Sequence, residues 1–587
     1  MSAIPNKGSS TQAGFLARGM SRFGYRKNVD QLLAEAHDKQ GLAKTLTASN
    51  LVMLGVAGII GGGIFVLVGS GIIKAGALVV PAFIVAALIC TVAGLAYAEL
   101  ASAIPASGSA YAYIYTAMGE LPGWMVAWAL ILEYAVGAIA VAVACRNNLL
   151  AVIKQVTWIF NPADAAAHKD YFTDPSNPSL FGWTHSPLEA VRVTNLDGSS
   201  TYLHGIINIP SIIIVLLVTM LLVKGTKESA RFTSVLVVLK VAILLFAIGT
   251  ALFYFDSSNF ADPLPHPTPD APNIPDVRQF GQAVLAAFGA AAIMFFAYIG
   301  FDSVSTTAEE TKNPKKDLPI GILGSLGIST LLYILAAGAL VGASHWTTFV
   351  GDSAAAKAAA GEPFGYVFEQ HGALSITLSN GSHFSLGALL VRLGAMIGTT
   401  SVLLVLILGG VRVFFNMSRD GLLPGWMSKV GPRGNPAKTT WFYGAFTLFF
   451  AGLLTLDAAV ELVNIGTLFA FFMVVLAVWM FRRRRPDVER PFRMPLWSVM
   501  NRNGKPVLPI LTILGLLGIM ALIFSLDPFT LVASAAWAGL GLLVYAFYGI
   551  RHSKEAHHRH VMANQELPDP FAVGRPAGTT EEAPRKK

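Results

Sequence analysis

Charge is what this chain has least of: 13% of its 587 residues are Asp, Glu, Lys or Arg, against 54% hydrophobic. A water-soluble protein draws about a quarter of its residues from the charged types, so an ordinary hydrated surface over most of the molecule is excluded. Cysteine is almost missing. Cys90 and Cys145 both fall in apolar stretches, which excludes a disulfide framework in exposed loops. The apolar stretches hold no Walker loop, no His/Glu metal spacing and no nucleophile motif, so catalysis and ATP-driven pumping have no support and no cofactor or metal is expected. A cleavable signal pattern is lacking too, because Arg18, Arg22, Arg26 and Lys27 lie in a polar tail far from any short apolar core. The first apolar stretch is therefore expected to act as an uncleaved insertion signal.

What fills the chain instead is apolar sequence. A window of about 19 residues finds stretches that can cross a hydrocarbon core of about 30 Å as helices. They are 48–73, 77–101, 122–150, 205–223, 230–255, 281–307, 319–343, 386–415, 438–456, 459–481, 506–525 and 529–550. The expectation is an all-α polytopic membrane protein with 12 transmembrane helices, surrounded by the lipid bilayer. The net charge of +8 then speaks to topology rather than to nucleic acid, for which no role is expected. Eighteen Lys and Arg residues fall in one set of connections, from Lys224 to Lys505. The longer opposite set has Lys74, Lys154, Lys169, Arg192, Arg278 and Lys357. The positive-inside rule thus places both termini in the cytoplasm of a plasma or inner membrane.

Three outer loops stand out by length, 151–204, the Pro-rich 256–280 and 344–385, and all three are expected to be surface caps. The sequon-like NGS at Asn380 is a weak signal, and the HHRH cluster after Arg551 is taken as part of a solvated tail rather than a metal site.

Two stretches are interrupted. The first, LVMLGVAGIIGGGIFVLVG, places Gly61, Gly62 and Gly63 halfway through a membrane helix, at a penalty of about 1 kcal/mol each relative to Ala. The sixth, AAIMFFAYIGFDSVSTTAEETKNP, has a matching interruption at Gly300, followed by Asp302 and a Ser/Thr-rich run. Close helix packing through small residues is one explanation. The other is a pair of discontinuous helices meeting at the bilayer midplane in an inverted repeat. In such a site the half-helix starting after Gly62 offers free N–H groups to a carboxylate, and carbonyls freed in the sixth stretch accept from an ammonium. An α-amino acid satisfies both ends at once. On this reading a branched side chain at Gly62 or Gly63 would occupy the carboxylate's approach.

These segments resemble the amino acid-polyamine-organocation superfamily and, within it, the cationic amino acid transporter family. The resemblance covers nearly all the spans. It rests on LAKTLTASNLVMLGVAGIIGGGIFVLVG, LILEYAVG, GTKESARFTSVLVVLKVAIL, FFAYIGFDSVSTTAEETKNPKKDLPIGI and RVFFNMSRDGLLP, in that order. It implies a leucine-transporter-type core of 5+5 inverted spans with two additional C-terminal spans and alternating access. The corresponding divisions are a tail at 1–47, repeats at 48–255 and 281–481 joined by a linker at 256–280, a loop and two spans at 482–550, and a tail at 551–587. Family contacts carry over to Ile59, Gly61, Gly62 and Gly63 on the carboxylate side and to Phe296, Ala297 and Ile299 on the amino side, with Phe296 resembling the family's aromatic gate. Gly62 lacks the small side chain of many relatives. The stretch VAVACRNNLL also departs from the family pattern and introduces Arg146, expected to snorkel to the outer interface or to belong to an outer vestibule.

Lys240 is nine residues beyond Arg231, or about 14 Å along a helix, too deep for comfortable snorkelling. A charged lysine at mid-helix costs about 3 kcal/mol on insertion scales, and its proton affinity falls under the control of its surroundings. The resemblance gives it the place of a sodium ion in sodium-coupled relatives, so Lys240 is the expected proton-coupling residue. Glu133, at similar depth, is either its partner or a wall of the substrate pocket. Ser401 and Val402 indicate a mostly apolar side-chain pocket, which favours neutral substrates. The function expected is a secondary transporter importing α-amino acids with protons. An exchanger or uniporter is the nearest alternative, and an amino-acid sensor or channel is a more distant one, since short inside loops and a single asymmetric pair of breaks fit neither.

Overall fold

The computed structural model describes residues 44–106, 108–160, 172, 178–194, 200–267, 276–351, 354–377, 383–432, 434–495, 498–500 and 506–554. Most of the N-terminal tail, Asn380 and the HHRH cluster lie outside them. Helix occupies every apolar stretch of the sequence. In order these are Ala48–Ile59 with Val68–Ala75, Val79–Ala103, Glu120–Ile131 running on through Gly137–Phe160, Ile209–Lys224 and Thr226–Phe253. There follow Phe280–Phe295, Pro314–Ala343, Leu386–Arg419, Ala437–Ala451, Leu456–Arg484, Ile510–Phe524 and Pro528–Val544. Among the described residues eight helical runs are long and apolar enough to cross a membrane, one of them the interrupted run Ala48–Ala103 that takes in two apolar stretches. The chain is an all-helical, multi-span membrane protein, because backbone in lipid must satisfy its own hydrogen bonds.

The long connections carry small elements of their own. The segment 178–204 holds a short helix, Pro178–Thr184, and a hairpin pairing Ala190–Thr194 with Ser200–His204. The segment 344–385 holds the helix Pro363–Gln370 and a hairpin of Ser375–Thr377 with His383–Ser385.

Small residues set how closely the central helices approach. A Cβ added to Gly55 would come within 2.2 Å of Ser325 Oγ, and one on Gly321 within 2.6 Å of Leu51 Cβ, so Ala48–Ile59 and Pro314–Ala343 meet almost backbone to backbone. Burial grades outward from that core. The most apolar window of Glu120–Trp158 is 89% buried, whereas that of Pro528–His552 is 17% buried and turns Phe529, Val532 and Phe547 outward.

This peripheral last helix is fastened at two heights. In its middle, Trp124 and Trp128 donate to the carbonyls of Gly541 (2.9 Å) and Trp537 (2.8 Å), and Trp537 donates back to Trp128 (3.2 Å). At its end, buried Glu120 accepts from Tyr115 (2.7 Å), Tyr545 (2.8 Å) and Ser553 (2.5 Å). Lys554 N–H donates to the Asp420 carbonyl at 3.1 Å, and Tyr111 donates to the Asp420 carboxylate at 2.6 Å. Gly421, at φ +84°, passes so near that an added Cβ would lie 2.3 Å from the His552 carbonyl oxygen. The DG pair of RVFFNMSRDGLLP thus serves a backbone crossing.

Candidate functional site

Both interrupted helices are broken where the sequence indicates. The first runs helically over Ala48–Ile59, turns extended at Ile60 (φ −75°, ψ 108°), and resumes as a π-helical turn, Gly63–Leu67, before Val68–Ala75. The second ends its regular helix at Phe295, tightens into a 3-10 turn at Phe296–Tyr298, opens at Ile299 (φ −59°, ψ 139°), and restarts as a 3-10 helix over Phe301–Glu310. Gly300 between them has φ +112°, a left-handed conformation that an L side chain rarely adopts. Each break releases backbone groups from the helical ladder, and buried groups of that kind need partners from elsewhere.

The two breaks lie against each other. A Cβ on Gly63 would fall 2.4 Å from Ala297 Cα, and one on Gly300 would fall 2.7 Å from the Gly58 carbonyl oxygen. Ile59, Gly61, Gly62, Gly63, Phe296, Ala297 and Ile299 are all buried at this junction. Its geometry corrects the steric expectation for the glycines. The obstacle to a side chain at Gly63 is the facing half-helix rather than an open approach, and at Gly61 it is Val402 Cγ2, 2.5 Å from an added Cβ. Only Gly62 has ordinary clearance, with Thr399 Cγ2 at 3.6 Å and Ala144 Cβ at 3.7 Å.

Lys240, fully buried on Thr226–Phe253, reaches the first break. Its ammonium donates to the carbonyls of Ala57 (2.9 Å) and Ile60 (2.6 Å) and to Ser401 Oγ (2.8 Å). Three N–H bonds meet three oxygens, which is the full donor capacity of a lysine. Ser401, expected in a side-chain pocket, is therefore part of the lysine's cage, and its hydroxyl also lies 2.8 Å from the Gly398 carbonyl. Val402 packs on Gly61 beside it.

Glu133 is not among the partners of Lys240. It sits on a π-helical turn, Leu132–Val136, that directs it toward the second broken helix, where its carboxyl stands beside that of Asp302. Asp302 accepts from Tyr134, while its other oxygen and both oxygens of Glu133 have no hydrogen-bond partner among the described residues. Arg146 pairs with the long connection 151–204. It is 2% exposed and grips Glu189 of the long connection with both carboxylate oxygens, at 2.7 and 3.0 Å.

Ion pairs close the junction from both directions. On the face opposite the basic connections, Arg392 binds Glu362 and Glu369, each at 2.6 Å, and the ring of Phe364 meets that of Phe65 edge-on at 6.4 Å. On the basic face, Arg412 pairs with Glu310 and Arg419 with Glu309 (3.1 Å) at the end of the second broken helix. Sequence reasoning missed one central residue, Tyr333. Its hydroxyl donates to the carbonyls of Ile59 (2.7 Å) and Ala297 (2.9 Å), one from each break.

Two broken helices thus meet inside a multi-span bundle, with ion pairs on either side of the junction. The sequence profile described as amino acid permease matches residues 46–547. The chain belongs to the amino acid permease family. It is 36% identical over 530 residues to the branched-chain amino acid permease BcaP of Bacillus subtilis (strain 168), covering 90% of this chain and 98% of the relative. It is 34% identical to the methylthioribose transporter of the same organism, covering 91% and 99%. Cationic amino acid transporter 2, vacuolar, of Arabidopsis thaliana is 31% identical over 79% of this chain and 64% of its own length. These family members are transporters, so the chain is a membrane transporter and not an enzyme.

Proposed function

We propose that this permease imports neutral α-amino acids by proton-coupled alternating access across the plasma membrane. The observation that carries the reading is the contact between the two breaks, which brings carbonyls of both helices together beside Gly62, where an added Cβ would make only ordinary contact with Thr399 and Ala144. An ammonium and a carboxylate a few ångströms apart match carbonyls and half-helix N–H groups respectively. Ala144, Val402 and Ile299 around the junction are apolar, which favours an aliphatic side chain over a cationic one. The name of the first relative agrees with that, and the cationic relatives supply the competing substrate class. The methylthioribose relative adds a neutral thioether sugar.

The architecture proposed is twelve crossings, with repeats at 48–255 and 281–481, two further spans, and both termini cytoplasmic. Coupling is assigned to Lys240, whose ammonium holds carbonyls next to the first break. The Glu133–Asp302 carboxyl pair is a second place where a proton can be held close to the moving half-helix. An exchanger or uniporter would share this site without the coupling.

Purified protein in liposomes tests all of this with a labelled panel of branched-chain and cationic amino acids and methylthioribose, with and without an inward proton gradient. Accumulation of a branched-chain amino acid above equilibrium only with the gradient is expected. Lys240→Gln retains N–H donors for the carbonyls but does not titrate, so it should keep binding and lose gradient-driven accumulation. Wild-type accumulation by that variant removes Lys240 as the coupling group, and uptake of methylthioribose alone removes the amino acid reading.

A further inference from the structure

The phenol of Tyr333 occupies a position that nothing in the sequence marks. It is fully buried on Pro314–Ala343, and its ring is fixed by Phe83 (centroids 5.5 Å apart) and Tyr298 (5.3 Å). Tyr298 spends its own hydroxyl on the Phe83 carbonyl at 3.1 Å. The Tyr333 hydroxyl is the one in this aromatic group that bonds carbonyls of both breaks, donating to Ile59 O and Ala297 O at 2.7 and 2.9 Å. A hydroxyl carries one proton, so it cannot give a full hydrogen bond to two carbonyls, and each carbonyl keeps a free lone pair. The two helices also touch at this level, since the Cβ position of Gly63 is 2.4 Å from Ala297. The separation and tilt of the two carbonyls are therefore set by one side chain from a third helix, with acceptor capacity left over.

We propose that Tyr333 is a positioning residue for substrate: its hydroxyl holds the Ile59 and Ala297 carbonyls at the spacing that receives the substrate's ammonium. The assignment rests on the amino acid reading above. An ammonium brings three N–H donors to a site short of them, and bonds to a charged group are the ones most sensitive to such spacing. A substrate without the ammonium gains nothing from it.

The test is a ratio. Inhibition constants of a branched-chain α-amino acid and of its deaminated acid are measured by competition against labelled uptake in membrane vesicles, for wild type, Tyr333→Phe and Tyr298→Phe. These constants do not depend on how much protein folds, so a lower yield of either variant leaves the readout intact. Tyr333→Phe should weaken the amino acid by about tenfold or more and leave the deaminated acid almost unchanged, while Tyr298→Phe preserves the wild-type ratio. A merely structural role would weaken both compounds together. An unchanged ratio in Tyr333→Phe, or an equal collapse in Tyr298→Phe, overturns the assignment. A wild-type ratio near one overturns the amino acid reading itself, and this proposal with it.

Discussion

Two buried charged side chains lie near the broken helices in opposite condition. Lys240 has an acceptor for every N–H, two of them the backbone carbonyls of Ala57 and Ile60 at the first break. Glu133 has no partner among the described residues for either oxygen, and its neighbour Asp302 has one for a single oxygen. The lysine thus belongs to the architecture as much as to any transport step: it supplies the donors that make an interrupted helix tolerable in an apolar interior. The acid has no such structural task. An unsatisfied carboxyl at that depth is costly and persists where water, a proton or a conformational change uses it.

The contrast can be broken experimentally. The largest effect is expected from Lys240→Met, which fills the volume but offers no donor to the Ala57 and Ile60 carbonyls. Thermal unfolding in detergent should show a loss of about 3 kcal/mol, from the stranded Ile60 carbonyl and the weakened bonding of the Ala57 carbonyl and Ser401 hydroxyl. Ser401→Ala removes one of three acceptors and should cost less, about 1 kcal/mol in the same measurement. Glu133→Gln should change stability least, within about 0.5 kcal/mol, because an amide is nearly isosteric with the carboxyl and can still hydrogen-bond the Asp302 carboxyl beside it. Its effect should fall on proton-driven uptake instead. Equal destabilisation by Glu133→Gln and Lys240→Met would erase the distinction between the two sites.

The helical stretches, the two breaks and the depth of Lys240 were legible because each is local: a run of apolar residues, three glycines together, a charge far from either end. The partners were not. Glu133 and Lys240 occupy similar depth, and depth alone made them candidates for each other. Their directions around the helix depend on a π-helical turn at Leu132–Val136, which shifts the register in a way that regular periodicity does not anticipate. Arg146 looked free to reach the interface because its acid, Glu189, lies 43 positions away in a loop. Tyr333 is the lone aromatic residue of its apolar helix, and only the convergence of three helices shows what its hydroxyl does. The bond from Lys240 to Ser401 was not legible either, since a hydroxyl suits a lysine cage and a substrate pocket equally well.

The fastening of the last helix bears on where the C-terminal tail begins. Lys554 hydrogen-bonds the residue that follows Arg419, and Arg419 is itself paired with Glu309 on the second broken helix. The tail accordingly departs from beside the hardware that shuts the basic face, and not from the rim of the bundle. A group attached directly after Lys554 would therefore start one residue's reach from the Arg419–Glu309 pair, and its charge would be felt there at high local concentration.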